Sequence, residues 1–581
     1  MTIFACVRIV TVEMMSKRLE LVWPEKDKVL LGLDNNGKPI WGTKADLETR
    51  LLVQLEAVGE TNPDNLNDLY EQADKLLIKG DNLLALKALE PHFAGNIKCI
   101  YIDPPFNTGG AFEHYDDGLE HTIWLSMMKA RLEILKKLLR KDDGIIFVHI
   151  DYREYAHLKV LMDEIFGRQN FLSFITVKVK DPAGVGQQSL IFDVCEYLIV
   201  YARDLASMRN APTRYTFEFR PIDGMVSGYN KAILDFGKPV LEKIINRQNV
   251  GEIKIYRCEG YEIKRFGAKT PYEEYLQHFQ TIFADYNPSG GTILQIRNEF
   301  PAGVLSFMEY VPTKGKGAGQ LSRVYFLNRR ILAWLKDIAE TNGEGQIVRK
   351  TKLTNIWEVS NAQLFSEGGV DFPQSKKPEA LIQKIIELST SPGDWVLDSF
   401  LGSGTTAAVA HKLGRKWVGV EIGEHAETLC LPRLKRVVSG EDQTGISKQV
   451  GWKGGGGFRY CVLGESLFAK DVDTGLVMIN PKYTNGPLIA AVCNLEGFYL
   501  NNDSLFHGVR GNTYAHVTED KVTQAYVDSL VEKLPGGKNL VVYCLKRAAD
   551  LEIPQEVKLK RIPRELQIPR YLTSTKSGGG K

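Results

Sequence analysis

The chain lacks the marks of several common protein classes. Its eight cysteines, Cys6, Cys99, Cys195, Cys258, Cys430, Cys461, Cys493 and Cys544, nowhere form a CxxC pair. That excludes zinc-ribbon spacing and a disulfide framework, and we expect a reducing cytoplasmic setting. Long apolar runs are missing as well. The opening stretch Met1–Met15 is interrupted by Arg8 and Glu13 and has no small-residue cleavage site, so neither a signal peptide nor a membrane anchor is expected, and Met14 or Met15 could be the true start. Gly454–Gly457 lacks the Lys and Ser or Thr of a phosphate-binding loop and reads as a flexible spacer. No metal-ligand set stands out: His149, Asp151 and His157 read as structural.

What is present is ample apolar content. With 44% hydrophobic residues over 581 positions, roughly three or four globular domains are expected. A net charge of +2 is uninformative until it is divided along the chain. Between Ala206 and Lys350 there are 21 Lys and Arg against 15 Asp and Glu, while the remainder is net acidic. A basic centre in an acidic protein suits a phosphate-facing surface.

Alternation of short apolar runs with helical periods begins at Lys75 and predicts a parallel sheet covered on both faces. Lys75–Lys79, Ile97–Ile102, Ile145–Ile150, Phe171–Val177 and Tyr197–Tyr201 read as strands, and 83–93, 122–140 and 155–166 read as helices. Before this region a helix is expected over Thr43–Val58. Regularity fails from about Ala206 to Asp371, apart from a helix expected over Tyr272–Phe283, as in an inserted domain. Order returns with a helix over Glu379–Ser389, a strand over Trp395–Phe400 and a second strand over Lys416–Ile422. The predicted divisions are 1–74, 75–205, 206–371, 372–450 and 451–581, with strand candidates at Gly475–Ile479 and Asn539–Cys544 and a disordered tail from Ser574.

Two motifs carry chemistry. Asp103-Pro104-Pro105-Phe106 follows an apolar strand. Its prolines fix φ and remove two donors, leaving a rigid corner between a carboxylate and an aromatic ring. Such a slot can accept hydrogen bonds from an exocyclic amine and stack on the ring that carries it. The second motif, Phe400-Leu401-Gly402-Ser403-Gly404, opens a helix after a strand, and Glu421 ends the next strand. This is a nucleotide-type turn in which glycines admit a ligand to the backbone and an acid can take ribose hydroxyls.

Together, in this order and with Lys377-Pro378 ahead of the second motif, these segments resemble the β arrangement of amino-methylating DNA methyltransferases. Asn107-Thr108-Gly109, Trp124-Leu125-Ser126 and 162–167 look most like modification subunits of type III restriction-modification systems. The resemblance covers residues 75–205 and 372–440. It implies a Rossmann-like S-adenosylmethionine-dependent fold with permuted motif order, an inserted target recognition domain and a C-terminal accessory domain. In that fold Asp398, Glu421, Gly80-Asp81 and Asp103 would end the first, second, third and fourth strands of one sheet.

The resemblance also implies roles. Asp103, Pro104, Pro105 and Phe106 would clamp a flipped-out adenine for N6 methylation, with Asn107 contributing to the same pocket. Lys377, Pro378, Phe400, Gly402, Gly404 and Glu421 would serve the cofactor. Asp81 would either touch the cofactor adenine or cap a helix, and Asp398 would either meet the methionine ammonium or support the turn. Arg257, Lys264, Arg265, Lys269, Lys314, Lys316, Arg323, Arg329 and Arg330 are candidates to touch double-stranded DNA. A homodimer and a helicase-nuclease restriction partner are implied, with N4-cytosine methylation or a non-catalytic DNA-binding subunit of a defence complex as alternatives.

Overall fold

A computed structural model describes residues 19–568 except 34–37, 61–73, 108–110, 113–114, 117–119, 181–192, 211–216, 223, 248–250, 268, 288–295, 313–318, 342–345, 360–363, 365, 371, 373–375, 472, 502 and 567. Two compact units divide the chain: Tyr215–Leu353, and everything on either side of it. Lys314, Lys316 and the tail from Ser574 lie outside the described residues.

The larger unit is built on a ten-stranded sheet. In chain order its elements are β1 (Leu52–Gly59), β2 (Lys75–Lys79), α1 (Asn82–Phe93), β3 (Cys99–Ile102), α2 (His121–Leu138), β4 (Ile145–Ile150), α3 (Tyr152–Phe166), β5 (Phe171–Lys178) and β6 (Cys195–Ala202). The chain returns as β7 (Ile356–Glu358), α4 (Glu379–Ser389), β8 (Trp395–Asp398), α5 (Thr405–Lys412), β9 (Lys416–Glu421), α6 (Leu431–Ser439) and β10 (Gly457–Leu463). The strands lie side by side as β7-β5-β6-β4-β3-β8-β9-β2-β10-β1.

The centre of this order, β4-β3-β8-β9-β2, is parallel throughout. It places the first, second, third and fourth strands as the resemblance implied. β3 and β4 are buried at every position, as strands covered on both faces must be. The paths β2-α1-β3 and β3-α2-β4 advance across the sheet in one direction, and β8-α5-β9 advances in the other. With right-handed crossovers, the catalytic-half and cofactor-half helices therefore fall on opposite faces. One continuous core under α1, α2 and α3 includes Leu86, Ile100, Trp124, Leu132, Val148, Leu161 and Leu397.

Three expectations fail here. The helix expected over Thr43–Val58 is a single 3-10 turn, Lys44–Asp46, followed by strand β1, because β10 offers an unpaired edge that β1 fills in antiparallel register. Leu52 is buried while Val53 and Leu55 are 41% and 57% exposed, so the side chains alternate as a strand requires. The glycine spacer is not flexible: Gly455 N donates to the Val438 carbonyl, Gly456 O accepts from Glu60 N, and Gly457 begins β10. A Cβ on Gly454 would lie 2.7 Å from the Gly440 amide, so tight backbone packing explains that glycine. Third, the sheet runs past the expected limits at both ends, taking β1 from 1–74 and β10 from 451–581.

Beyond β10 the chain forms a five-stranded sheet ending in Thr513–Val522, Asn539–Arg547 and Val557–Arg561. Glu48 holds the chain just after β10, its Oε1 accepting from Leu467 N at 2.7 Å and from Ser466 Oγ at 3.1 Å.

The smaller unit spans 215–353, where an insert over 206–371 was expected. It contains an eight-stranded and a three-stranded sheet. Its expected helix over Tyr272–Phe283 stops at Gln277, and Ile282–Tyr286 is a strand, because buried Ile282 and Phe283 pair into the sheet. On the larger sheet Tyr256 stands opposite Phe307, and Phe307 opposite Tyr325, with ring centroids 4.8 and 5.3 Å apart.

Candidate active site

β3 delivers the Asp-Pro-Pro-Phe corner at the carboxyl edge of the sheet. The corner is fastened from above: Trp124 Nε1 on α2 donates to the Pro105 carbonyl at 2.8 Å. Asn107, in the left-handed region at φ +61°, closes it and donates through Nδ2 to Glu154 Oε1 at 2.7 Å. Asp103 Oδ1 is buried and accepts no hydrogen bond. A buried carboxylate oxygen without a donor is costly, so this one is available to an incoming donor. Burial pushes the Asp103 carboxyl above its ordinary value, against the pull of Lys377 and His149.

Lys377 organises this corner. Its Nζ lies 2.9 Å from Glu196 Oε2 and 3.4 Å from Asp103 Oδ2, and 4.7 Å from the centre of the Phe106 ring. Burial alone would lower its pKa, but Asp103 and Glu196 together raise it. Burial would likewise raise Glu196, yet Lys377 and His149 hold that carboxyl well below the usual range. His149 Nε2 is 2.8 Å from Glu196 Oε2, and its Nδ1 is 2.9 Å from Tyr101 Oη. A chain of polar groups thus runs beneath the corner through strands β3, β4 and β6.

The neighbouring strand, β8, carries the second motif. Val396 pairs with Cys99 and Leu397 with Ile100, so the two chains leave the sheet side by side. Asp398 is buried and accepts from Phe400 N at 2.9 Å and Thr406 Oγ1 at 2.6 Å, holding the turn closed. Burial, with Asp103 and Glu421 adding, pushes its pKa up to about 7. Gly402 and Gly404 have φ of +56° and +80°. Among the described residues a Cβ on Gly402 would meet only the Phe372 ring, at 3.9 Å, so the backbone here leaves room for a small ligand to approach. Glu421 bridges this turn to its own: Oε2 accepts from Gly402 N at 2.7 Å, and Oε1 from Ile422 N at 2.8 Å and Gly423 N at 3.1 Å.

A family model for N6/N4 DNA methylases matches residues 97–430, which contain both motifs and everything between them. The chain belongs to this DNA methylase family. A probable type III restriction-modification enzyme HindVI Mod subunit of Haemophilus influenzae is 38% identical over 67% of this chain and 54% of that protein. The type II methyltransferase M.KpnI of Klebsiella pneumoniae is 28% identical over 60% of this chain and 80% of its own length. The type III enzyme StyLTI Mod subunit of Salmonella typhimurium is 29% identical over 58% and 50%. The methylase chain spans about half the length of these two Mod subunits.

Several residues of the methylase sit elsewhere than the sequence reading put them. Lys377 was grouped with the cofactor, but its ammonium sits against Asp103 and Phe106. Pro378 is the residue before α4, and its carbonyl accepts from Leu381 N at 3.1 Å. Asp81 takes one of its two expected roles, capping α1 through Leu84 N, and pairs with Arg131 at 3.2 Å. Phe400 is buried in the core beneath the turn. Glu421 is nearly inaccessible and committed to backbone amides, with His425 Nε2 at 3.1 Å, so a ribose can reach it only where one of these partners yields.

The cations chosen for DNA are mostly paired within the smaller unit. Arg257 meets Glu242 and Glu259, Lys264 meets Glu274, Arg323 meets Glu309, and Arg330 meets Asp285. Arg329 donates to the Phe300 carbonyl. Arg265 and Lys269 are exposed and make no ion pair among the described residues. Missed by the sequence reading were Glu196 and Glu154, and Trp124 was read only as part of a resembling segment, without its contact to Pro105. The signal for Glu196 was a lone charge at the head of the otherwise apolar strand β6.

Proposed function

We propose that the chain transfers a methyl group from S-adenosylmethionine to the N6 amino group of an adenine turned out of double-stranded DNA. The observation that carries this is the buried, undonated Asp103 Oδ1, held beside an open glycine turn on the adjacent strand. The cofactor, when bound, supplies an electrophilic methyl group. The protein's part is to prepare the amine, a poor nucleophile because its lone pair is delocalised into the ring. Asp103 accepts a hydrogen bond from an amino N–H and draws the nitrogen toward a pyramidal form, which is catalysis by positioning and electrostatics. Phe106 stacks on the extruded base and offsets part of its unstacking cost of a few kcal/mol. Gly402 and Gly404 let the cofactor approach the backbone.

Asp rather than Ser at position 103 supports adenine over cytosine. Relatives named as Mod subunits support a place in a restriction-modification system, acting as a homodimer with a helicase-nuclease partner in the cytoplasm. No helix of the described residues is long and apolar enough to cross a membrane. Tritiated methyl transfer to DNA, followed by digestion to nucleosides, tests the reading. N6-methyladenine made by wild type and lost in Asp103→Ala is expected. N4-methylcytosine would reverse the base assignment, and no transfer with any partner or salt would leave only a DNA-binding subunit.

A further inference from the structure

Three side chains with metal-binding atoms meet beside the corner, although the chain separates the outermost two by more than thirty residues. His121 is the first residue of α2, and Glu154 and His157 share one face of the first turns of α3. His121 Nδ1 lies 2.5 Å from Glu154 Oε1, and His157 Nδ1 lies 3.1 Å from Glu154 Oε2. All three ligand atoms fall within 4.8 Å of one another. The rings are 5.2 Å apart and tilted 59°, so they are splayed around the carboxylate rather than stacked.

We propose that His121, Glu154 and His157 form a site for a divalent transition-metal ion of the zinc, cobalt or nickel class, with water completing the shell. Two imidazole nitrogens in a set of three favour these ions over calcium or magnesium, which prefer oxygen. Burial gives the site a floor and a mouth: the Glu154 side chain is 0% exposed, whereas His121 and His157 are 58% and 42% exposed. An ion can therefore enter from solvent and find a fixed carboxylate at the bottom. Tetrahedral ligands at about 2.0–2.1 Å from zinc stand about 3.3 Å from each other. Both imidazole–carboxylate spacings, 2.5 and 3.1 Å, are shorter than that figure, and the exposed rings can open to it by small rotations.

The carboxylate also has the outer hydrogen bond that ligating carboxylates usually have, from Asn107 Nδ2. Asn107 directly follows Phe106, so an ion here would tie the starts of α2 and α3 to the end of the catalytic corner. The sequence reading passed over Glu154-x-x-His157, a ligand spacing known from helical metal sites, because the third ligand, His121, stands 33 residues earlier.

Cobalt and zinc titrations of the metal-stripped full chain test the proposal, read by calorimetry and by the visible absorption of cobalt. One equivalent bound per chain is expected, with affinity reduced at least about tenfold in His121→Ala and in His157→Ala. Both histidines are exposed, so these variants should fold, and circular dichroism checks that they do. Absence of binding at one equivalent, or unchanged binding in the double variant, overturns the site.

Discussion

Replacing Lys377 by methionine isolates the electrostatics of the catalytic corner. The ammonium sits 2.9 Å from Glu196 and 3.4 Å from Asp103, and its side chain is only 12% exposed. At 3.4 Å and an effective dielectric of about 20, the attraction to Asp103 alone is about 5 kcal/mol before desolvation is subtracted. Methionine keeps the stem and its packing but leaves two carboxylates facing each other. Breaking a buried pair from one side costs about 3–5 kcal/mol, and His149 remains beside Glu196, so the lower end, about 3 kcal/mol, is expected in chemical denaturation. Asp103 then holds its proton to higher pH, and the acid limb of the methyl-transfer profile moves upward. At neutral pH transfer falls about a hundredfold, because a protonated, displaced Asp103 no longer orients the amine. Adding Glu196→Gln should recover most of the stability but not the rate, since Asp103 still lacks its cation. The reasoning fails if Lys377→Met keeps wild-type stability and an unmoved acid limb, or if the double variant regains full activity.

Other outcomes follow from single contacts. Gly402→Ala places its Cβ in open space but holds an L-residue at φ +56°, costing about 1–2 kcal/mol; the KM for S-adenosylmethionine should rise with little change in kcat. Trp124→Phe removes the donor to the Pro105 carbonyl and should lower kcat while costing about 1–3 kcal/mol of stability. Asp398, pushed up to about 7 from 3.8, binds its proton more tightly folded than unfolded. Stability should therefore fall as pH rises from about 4 to about 7, by at most about 4 kcal/mol, and Asp398→Asn should flatten that slope. If Arg265 and Lys269 meet phosphates, losing each should reduce the salt slope of DNA binding by about 0.9, whereas Arg323→Ala, already paired with Glu309, should change it less.

The central sheet was readable because strands buried on both faces leave unbroken apolar runs, and because the two rigid motifs sit at strand ends. The corner Asp103–Phe106 and the turn Phe400–Gly404 lie where those runs placed them. What escaped was set by partners far along the chain. Thr43–Val58 carries a helical period, yet the free edge of Gly457–Leu463 draws part of it into a strand. Lys377 looked like a cofactor residue because it precedes the glycine turn, while its partners Asp103 and Glu196 are 274 and 181 residues earlier. Charge counts in the insert missed that several of its basic residues, Lys231, Arg257, Arg323 and Arg330 among them, already face acids on neighbouring strands.

The pairing of β3 with β8 also bears on how the molecule is made. Roughly 300 residues separate these adjacent central strands, which at ribosomal speeds of about 5–20 residues per second is about 15–60 s of synthesis. During that interval the strand bearing Asp103 has no neighbour on one side, while the segment 215–353 between them has emerged as a compact unit of its own. The nascent chain must keep the apolar edge of Cys99–Ile102 from pairing wrongly until β8 arrives, so one late step both covers that edge and first brings the two motifs together, before β9 and β10 finish the sheet.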